Sequence, residues 1–325
     1  MTGLHLIWFR DDLRVHDHEA LRAACEAVAR EGGQILAIYI LPAQGTGQNN
    51  QGEVANGFLI DSLRDLDSAL AGRGAHLHLR AGDPIEVFSS LHRAHKILSV
   101  NAHERRGECQ QDHAVEAWSL RAGVPFRIMP QFGPPLNGET AERARVAWRR
   151  FMMRPRVDAP KIDESANVGI GRWPMTPALE APERGGALPQ KGGRKQAIKI
   201  LRAGLLEIPD AQTSAAHTWH WLKPYLDLGT VSVREAWQAA SSAHQYANRT
   251  GLNVQAASIG RLIEGLTTSY CGGDPRLDRH WHNRPQRASK RRLRNNKQLS
   301  FGFEVGEVNP PELKGATHII SEKRY

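Results

Sequence analysis

The chain is poor in several features, and each scarcity removes a class of protein. Its three cysteines, Cys25, Cys109 and Cys271, stand far apart with no C-x-x-C spacing. So sparse and odd a set suits a reducing cytoplasm and argues against a disulfide framework or a cysteine-built zinc or iron–sulfur centre. No apolar run approaches the roughly 18 residues that span a bilayer, so no transmembrane helix is expected. The N-terminus, MTGLHLIWFRDD, lacks a basic region followed by an apolar stretch and a cleavage site, so no signal peptide is expected. The phosphate-cradling patterns G-x-G-x-x-G and G-x-x-x-x-G-K-[ST] are missing, and so is the G-x-S-x-G nucleophile elbow. Histidine is plentiful, but His76 with His78, His92 with His95, and His280 with His282 have no cysteine or carboxylate set at ligand spacing. These read as surface histidines, and no metal is expected.

Charge is present but unevenly placed. From Arg276 to Lys297 there are nine lysines or arginines against the single acid Asp278, so this window carries +8 of the chain's formal +9. A nearly neutral body with one basic arm has the electrostatic footprint of a binder of phosphate backbones. The alternative is a solvated charge run. Within the arm, Arg284, Arg287, Lys290, Arg291, Arg292 and Arg294 are the candidate nucleic-acid contacts.

Along residues 1–130, short apolar runs alternate with helical periods. LHLIWF, QILAIYI, AHLHLR, KILSV and PFRIM read as strands. His18–Arg30, Phe58–Leu70, Pro84–His92 and Asp112–Arg121 read as helices, the third with Asp83 as N-cap and Pro84 in its first turn. This alternation predicts βαβ units and a doubly wound parallel sheet. Residues 131–193 are rich in Pro and Gly and read as a connector, with one helix at Thr140–Met153. Residues 194–270 read as a mostly helical, incomplete second domain, with helices at 194–207, Val233–Ala240 and Ala256–Leu266. Residues 271–325 show no clear period, so poor order is the expectation there.

The turn after the first strand, RDDLRVHD, packs charges of both signs into a few residues. In a parallel sheet, ligands bind in the crevice at the carboxyl ends of the strands. Arg10, Arg14, Asn101 and Glu104 are the candidates for that crevice, and ion pairing that merely holds strand to helix is the competing reading for each.

WFRDDLRVHDHEAL resembles the N-terminal signature of the DNA photolyase/cryptochrome family. Trp8, Phe9, Arg10, Asp12, Leu13, Arg14, Asp17, Ala20 and Leu21 stand at the family's positions, and His18 replaces its usual Asn. AGDPIEVFSSL, ILSVNAHERRGECQQDHAVEAW, PQFGP, WRRFMMRP, GGRKQAIKIL and KPYLDLGTVSVREAWQA continue the resemblance in order, over roughly residues 4–240. The resemblance implies an α/β domain that can hold a folate or deazaflavin antenna and a helical domain that binds FAD. It also implies light-dependent repair of pyrimidine dimers in damaged DNA, or blue-light sensing, by electron transfer from that flavin. Six Trp (118, 148, 173, 219, 221 and 237) are candidates for an electron relay, with core packing as the alternative.

The flavin-phosphate element of the family, T-S-x-L-S-P-Y-L, aligns with WHWLKPYLDLG at residues 219–229. Leu222, Pro224, Tyr225, Leu226 and Gly229 are kept, while Trp219, His220 and Lys223 replace the hydroxyls. Lys223 and Tyr225 become the candidate FAD contacts, Lys223 offering a point charge in place of a hydroxyl. Asn283 joins them through an echo of W-x-H-N-R at residues 281–284. The central block of the family's helical domain is not found. The second expectation is therefore a non-catalytic member that binds a chromophore or nucleic acid without repair. A general nucleotide-binding α/β protein is a third reading, and WFRDDLR speaks against it.

Overall fold

The computed structural model describes residues 2–41, 52–106, 110–134, 140–168, 190–206 and 211–271. Five strands, β1 (Leu4–Phe9), β2 (Gln34–Leu41), β3 (Leu77–Ala81), β4 (Ile97–His103) and β5 (Phe126–Met129), form one parallel sheet in the order β3-β2-β1-β4-β5. Helices α1 (Glu19–Glu31), α2 (Gly52–Ala71), α3 (Pro84–His95) and α4 (Gln110–Ala122) alternate with them. The doubly wound sheet expected from the sequence is present.

β1 is apolar throughout because both of its faces are covered. Leu4, Leu6 and Trp8 pack against Phe88, Leu91, Val115 and Trp118 of α3 and α4. Ile7 and Phe9 pack against Leu21 and Ala24 of α1 and Leu63, Leu66 and Leu70 of α2. The strand order reverses at β1, which has β2 on one side and β4 on the other. Connections leave in opposite directions there and open a crevice at the carboxyl ends of β1 and β4.

Local chemistry sets the helix starts. Asp83 caps α3 by accepting from the amides of Ile85 and Glu86, with Pro84 in the first turn. Thr140 caps α5 (Ala141–Met152), and Ser232 caps α8 (Val233–Arg249) by accepting from the Glu235 amide. Several helices outrun their apolar period. α2 starts before Phe58, α8 continues past Ala240, and α9 (Asn253–Tyr270) extends at both ends of Ala256–Leu266. The extra turns of α8 carry exposed polar side chains such as Gln245 and Asn248, which leave no period to read.

The connector folds back onto the sheet. The Ile35 amide donates to Glu164 O, and the Ala166 amide donates to Ile35 O, so the segment pairs with β2 before β3 begins. Beyond it, α6 (Arg194–Leu206) packs on α7 (Ala211–Asp227), and α7 and α8 both pack on α9. The sequence reading missed α7. Pro224 interrupts the helical signal of WHWLKPYL, yet the helix runs through it to Asp227. Among the described residues no helix is long and apolar enough to cross a membrane.

The helical part closes against the turn after β1. The Leu13 amide donates to Leu228 O at 3.0 Å. Gly229 has φ +62°, and a Cβ there would meet Asp11 O at 2.1 Å and Asp12 Cα at 2.6 Å. Gly251 is also left-handed, at φ +73°, but faces open space. Gly251→Ala should therefore cost about 1 kcal/mol, the strain of one left-handed residue. Gly229→Ala adds a clash with backbone and should cost more than twice that in urea denaturation. Equal losses would show that Gly229 is not held against Asp11.

Candidate functional site

The charged turn converges on one carboxylate. Asp12, 1% exposed, accepts from the Arg10 amide at Oδ1, 2.7 Å away, which folds the turn back on itself. Its Oδ2 accepts from His103 Nδ1 at 2.9 Å, and His103 is the last residue of β4. Oδ2 also lies 2.9 Å from His18 Nε2, without the alignment of a hydrogen bond. His18 caps α1, its Nδ1 accepting from the Leu21 amide at 3.0 Å. The two imidazoles sit 4.2 Å apart, between centroids, and both are buried.

Burial alone would raise the Asp12 pKa, but the adjoining His18 and His103 outweigh it and hold the carboxyl well below its ordinary value. Burial first, and then the neighbouring His18, push His103 down to about 3. Burial likewise lowers His18. The cluster is one carboxylate with two neutral imidazoles.

The three ligand-type atoms of Asp12, His18 and His103 lie within 4.8 Å of one another, which invites a metal. The tautomer of His18 argues against one. Its Nδ1 accepts a backbone N–H, so in the neutral ring Nε2 carries the proton. A metal ligand must instead present a lone pair and donate its other ring nitrogen outward. Histidine at an N-cap position, where Ser, Asp or Asn is preferred, was the sequence signal for this cluster. Of the pairs singled out in the sequence, His76 with His78 lies at β3 and His92 with His95 at α3, His76 being 72% exposed at its side chain, and His280 with His282 lies outside the described residues.

Arg10, Arg14 and Glu104 gather around the ends of β1 and β4, whereas Asn101 lies within β4 opposite Ile7, and each is engaged. Arg10 pairs with Asp112 of α4, donates to His103 O, and lies 4.5 Å over the Trp8 ring. Arg14 donates to Gly229 O at 3.0 Å, and to Asp17 O and Gln131 Oε1 at 3.2 Å. Asn101 Nδ2 donates to Leu6 O and Ser99 Oγ, while its buried Oδ1 has no hydrogen-bond partner. Glu104 Oε1 accepts from the Gln131 and Phe132 amides, both at 2.8 Å, and burial raises its pKa. Arg10, Arg14 and Glu104 share one region, and most of their polar atoms are spent on its own walls, while Asn101 turns its side chain to Leu6 and Ser99 within the sheet.

Lys223 and Tyr225 lie apart from this region, within α7. Lys223 Nζ donates to Asp227 one turn on, at 2.7 Å. The Tyr225 hydroxyl donates to Lys191 O at 2.6 Å, and its ring packs on Phe58 at 4.8 Å. Its pKa is pushed up to about 12 by burial. A flavin pyrophosphate needs free amides or hydroxyls, whereas residues 219–227 are helical interior whose amides serve the helix. These residues as folded do not fit the phosphates of FAD. Asn283 and the six basic candidates of the arm lie outside the described residues.

A family model described as DNA photolyase matches residues 5–131. Cryptochrome DASH of Gloeobacter violaceus is 34% identical over 128 residues, which is 38% of this chain and 24% of that protein. The (6-4)DNA photolyase of Arabidopsis thaliana is 25% identical over 324 residues, covering 86% of this chain and 57% of that protein. Among solved structures, an archaeal photolyase from Sulfolobus tokodaii with two FAD molecules has a TM-score of 0.56 at 19% identity, over 76% of this chain and 56% of that one. The chain thus spans under two thirds of the length of these relatives.

The neutral buried histidines fix the direction of a pH response. Unfolded His103 takes up a proton below its ordinary value of 6.5, whereas the folded residue resists protonation down to about 3. The unfolded state therefore binds more protons in that window, and stability falls as pH falls. The unfolding free energy should decline from pH 7.5 to 5.0, and His103→Gln should flatten the decline, whatever its effect at pH 7.5. An unchanged slope in H103Q would show that His103 titrates normally in the fold.

Proposed function

Because the chain belongs to the photolyase/cryptochrome family, we propose that it acts as a nucleic-acid-binding member whose residues 219–227 do not house the flavin phosphates. The observation that carries this reading is α7, a continuous helix where the family's phosphate element aligns, with Lys223 held by Asp227 and Tyr225 by Lys191. The α/β domain serves as the scaffold, and the basic window from Arg276 to Lys297 supplies the phosphate contacts. At the strand ends, where a folate or deazaflavin antenna would bind, Arg10 is paired with Asp112 and Glu104 holds the Gln131–Phe132 turn. The sparse cysteines support work in a reducing, cytoplasmic compartment.

Flavin-driven repair or light sensing is the second reading. It is favoured by the likeness to (6-4)DNA photolyase, which runs through 86% of this chain. The visible absorption spectrum of the purified, folded protein separates the two: the first reading expects no stoichiometric flavin band, and the second requires one. For the first reading, duplex affinity should fall linearly in log–log terms with salt, by about 0.9 per phosphate neutralised. Replacing Arg284, Arg287, Lys290, Arg291, Arg292 and Arg294 with Ala should weaken binding across sequences and flatten that slope by as much as about 5. A slope untouched by the six changes would remove the arm from the interface.

A further inference from the structure

Between α2 and α6 lies an open cavity of about 510 Å³, well away in sequence from the basic arm. Its volume falls in the range of small-molecule sites. One wall is apolar, formed by Leu13, Val15, Leu66 and Ala69. The other is the outer face of α6, where Lys195, Lys199 and Arg202 follow one another at i, i+4 and i+7. Their backbone positions climb the helix in steps of about 6 Å and about 4.5 Å. The opposite face of α6 is apolar and buried through Ala197, Leu201 and Leu205, so packing fixes which way the cations point.

One acid, Asp65, also lines the cavity, and it is engaged at the start of α6. Asp65 Oδ2 accepts from the Arg194 amide at 2.8 Å, and Ser62 Oγ accepts from the Gly193 amide at 3.0 Å. The amino end of α6 is therefore capped, and the positive character of the cavity comes from side chains. Glu235 forms a two-pronged pair with Arg194, at 2.7 Å on each side. Among the described residues, Lys195, Lys199 and Arg202 have no carboxylate partner. Three like charges on one helix face repel one another, and a linear anion laid along them would relieve that repulsion.

We propose that the cavity between α2 and α6 binds a linear polyphosphate, either free or as the phosphate chain of a nucleotide, held by Lys195, Lys199 and Arg202. In the nucleotide case the apolar wall receives the nucleoside. The site is independent of the nucleic-acid arm and of any flavin.

Calorimetric titration of the full chain tests it, with inorganic tripolyphosphate, ATP, orthophosphate and a single-stranded oligonucleotide as probes. Tripolyphosphate or ATP should bind one to one and at least tenfold more tightly than orthophosphate. The triple variant Lys195→Ala, Lys199→Ala, Arg202→Ala should lose at least tenfold for that probe. These side chains are exposed, and an unchanged urea midpoint confirms that the variant folds. Arg30→Ala, an exposed cation elsewhere, should change nothing. The basic arm is present in every protein compared, so it cannot produce the difference. Tighter binding of ATP identifies the nucleotide source, and tighter binding of tripolyphosphate identifies the free chain. Equal binding by wild type and triple variant overturns the proposal. So does equal affinity for orthophosphate and tripolyphosphate, absence of binding by either phosphate chain, or an oligonucleotide as the one probe whose affinity falls in the variant.

Discussion

A carboxylate buried at the end of a parallel strand is costly unless every lone pair is matched, and Asp12 is where this fold meets that cost. Its solution draws on three elements at once. The Arg10 amide comes from the turn after β1, His103 from the end of β4, and His18 from the start of α1. A shift of β4 against β1, or of α1 against the sheet, would break one of these contacts. The buried guanidiniums of Arg10 and Arg14 make their hydrogen bonds elsewhere, to Asp112 and to the seam with the helical part, although the Asp12 charge still acts on Arg14.

That seam repeats the logic with Asp17. It adopts a left-handed backbone, φ 51°, and its carboxylate accepts from Ser232 Oγ at 2.5 Å and from the Val157 amide at 3.2 Å. Arg234 lies 3.5 Å from it and donates onward to Glu19 at 2.9 Å. Ser232 thus caps α8 and ties it to the first turn of the α/β domain. The charges that follow β1 serve two tasks, one group closing the crevice and the other fastening α8 and the connector beside it.

How much of this could be read from the sequence depended on distance along the chain. Strands buried on both faces give unbroken apolar runs, so the sheet was legible, and Asp83 before Pro84 announced α3. Arg10, Arg14 and Glu104 lie near one another, because residues that follow parallel strands must share an edge, whereas Asn101 lies within β4. Their partners were not legible. Arg10 meets Asp112 across 102 positions and Arg14 meets Gly229 across 215, and no local pattern encodes such pairings. α7 was hidden for the opposite reason, since a proline and several aromatics gave a strong local signal that tertiary packing overrode.

The same overriding decides what the helical part can do. A loop can turn its amides toward a phosphate, but a helix spends them internally, and α7 leaves Lys223 to satisfy Asp227. Arg106 also approaches Asp227, at 3.8 Å, and lies 4.8 Å over the Tyr270 ring of α9. Positive charge along α7 is thus absorbed by neighbours on its own helix and from the α/β domain. On α6, Asp65 caps the helix and Glu235 holds Arg194, and among the described residues the three outward cations have no carboxylate partner. The polarity of the two helices therefore follows from where the acids fall, and among the described residues positive charge without an acid partner collects on α6, facing a cavity, and not on the helix that aligns with the photolyase phosphate element.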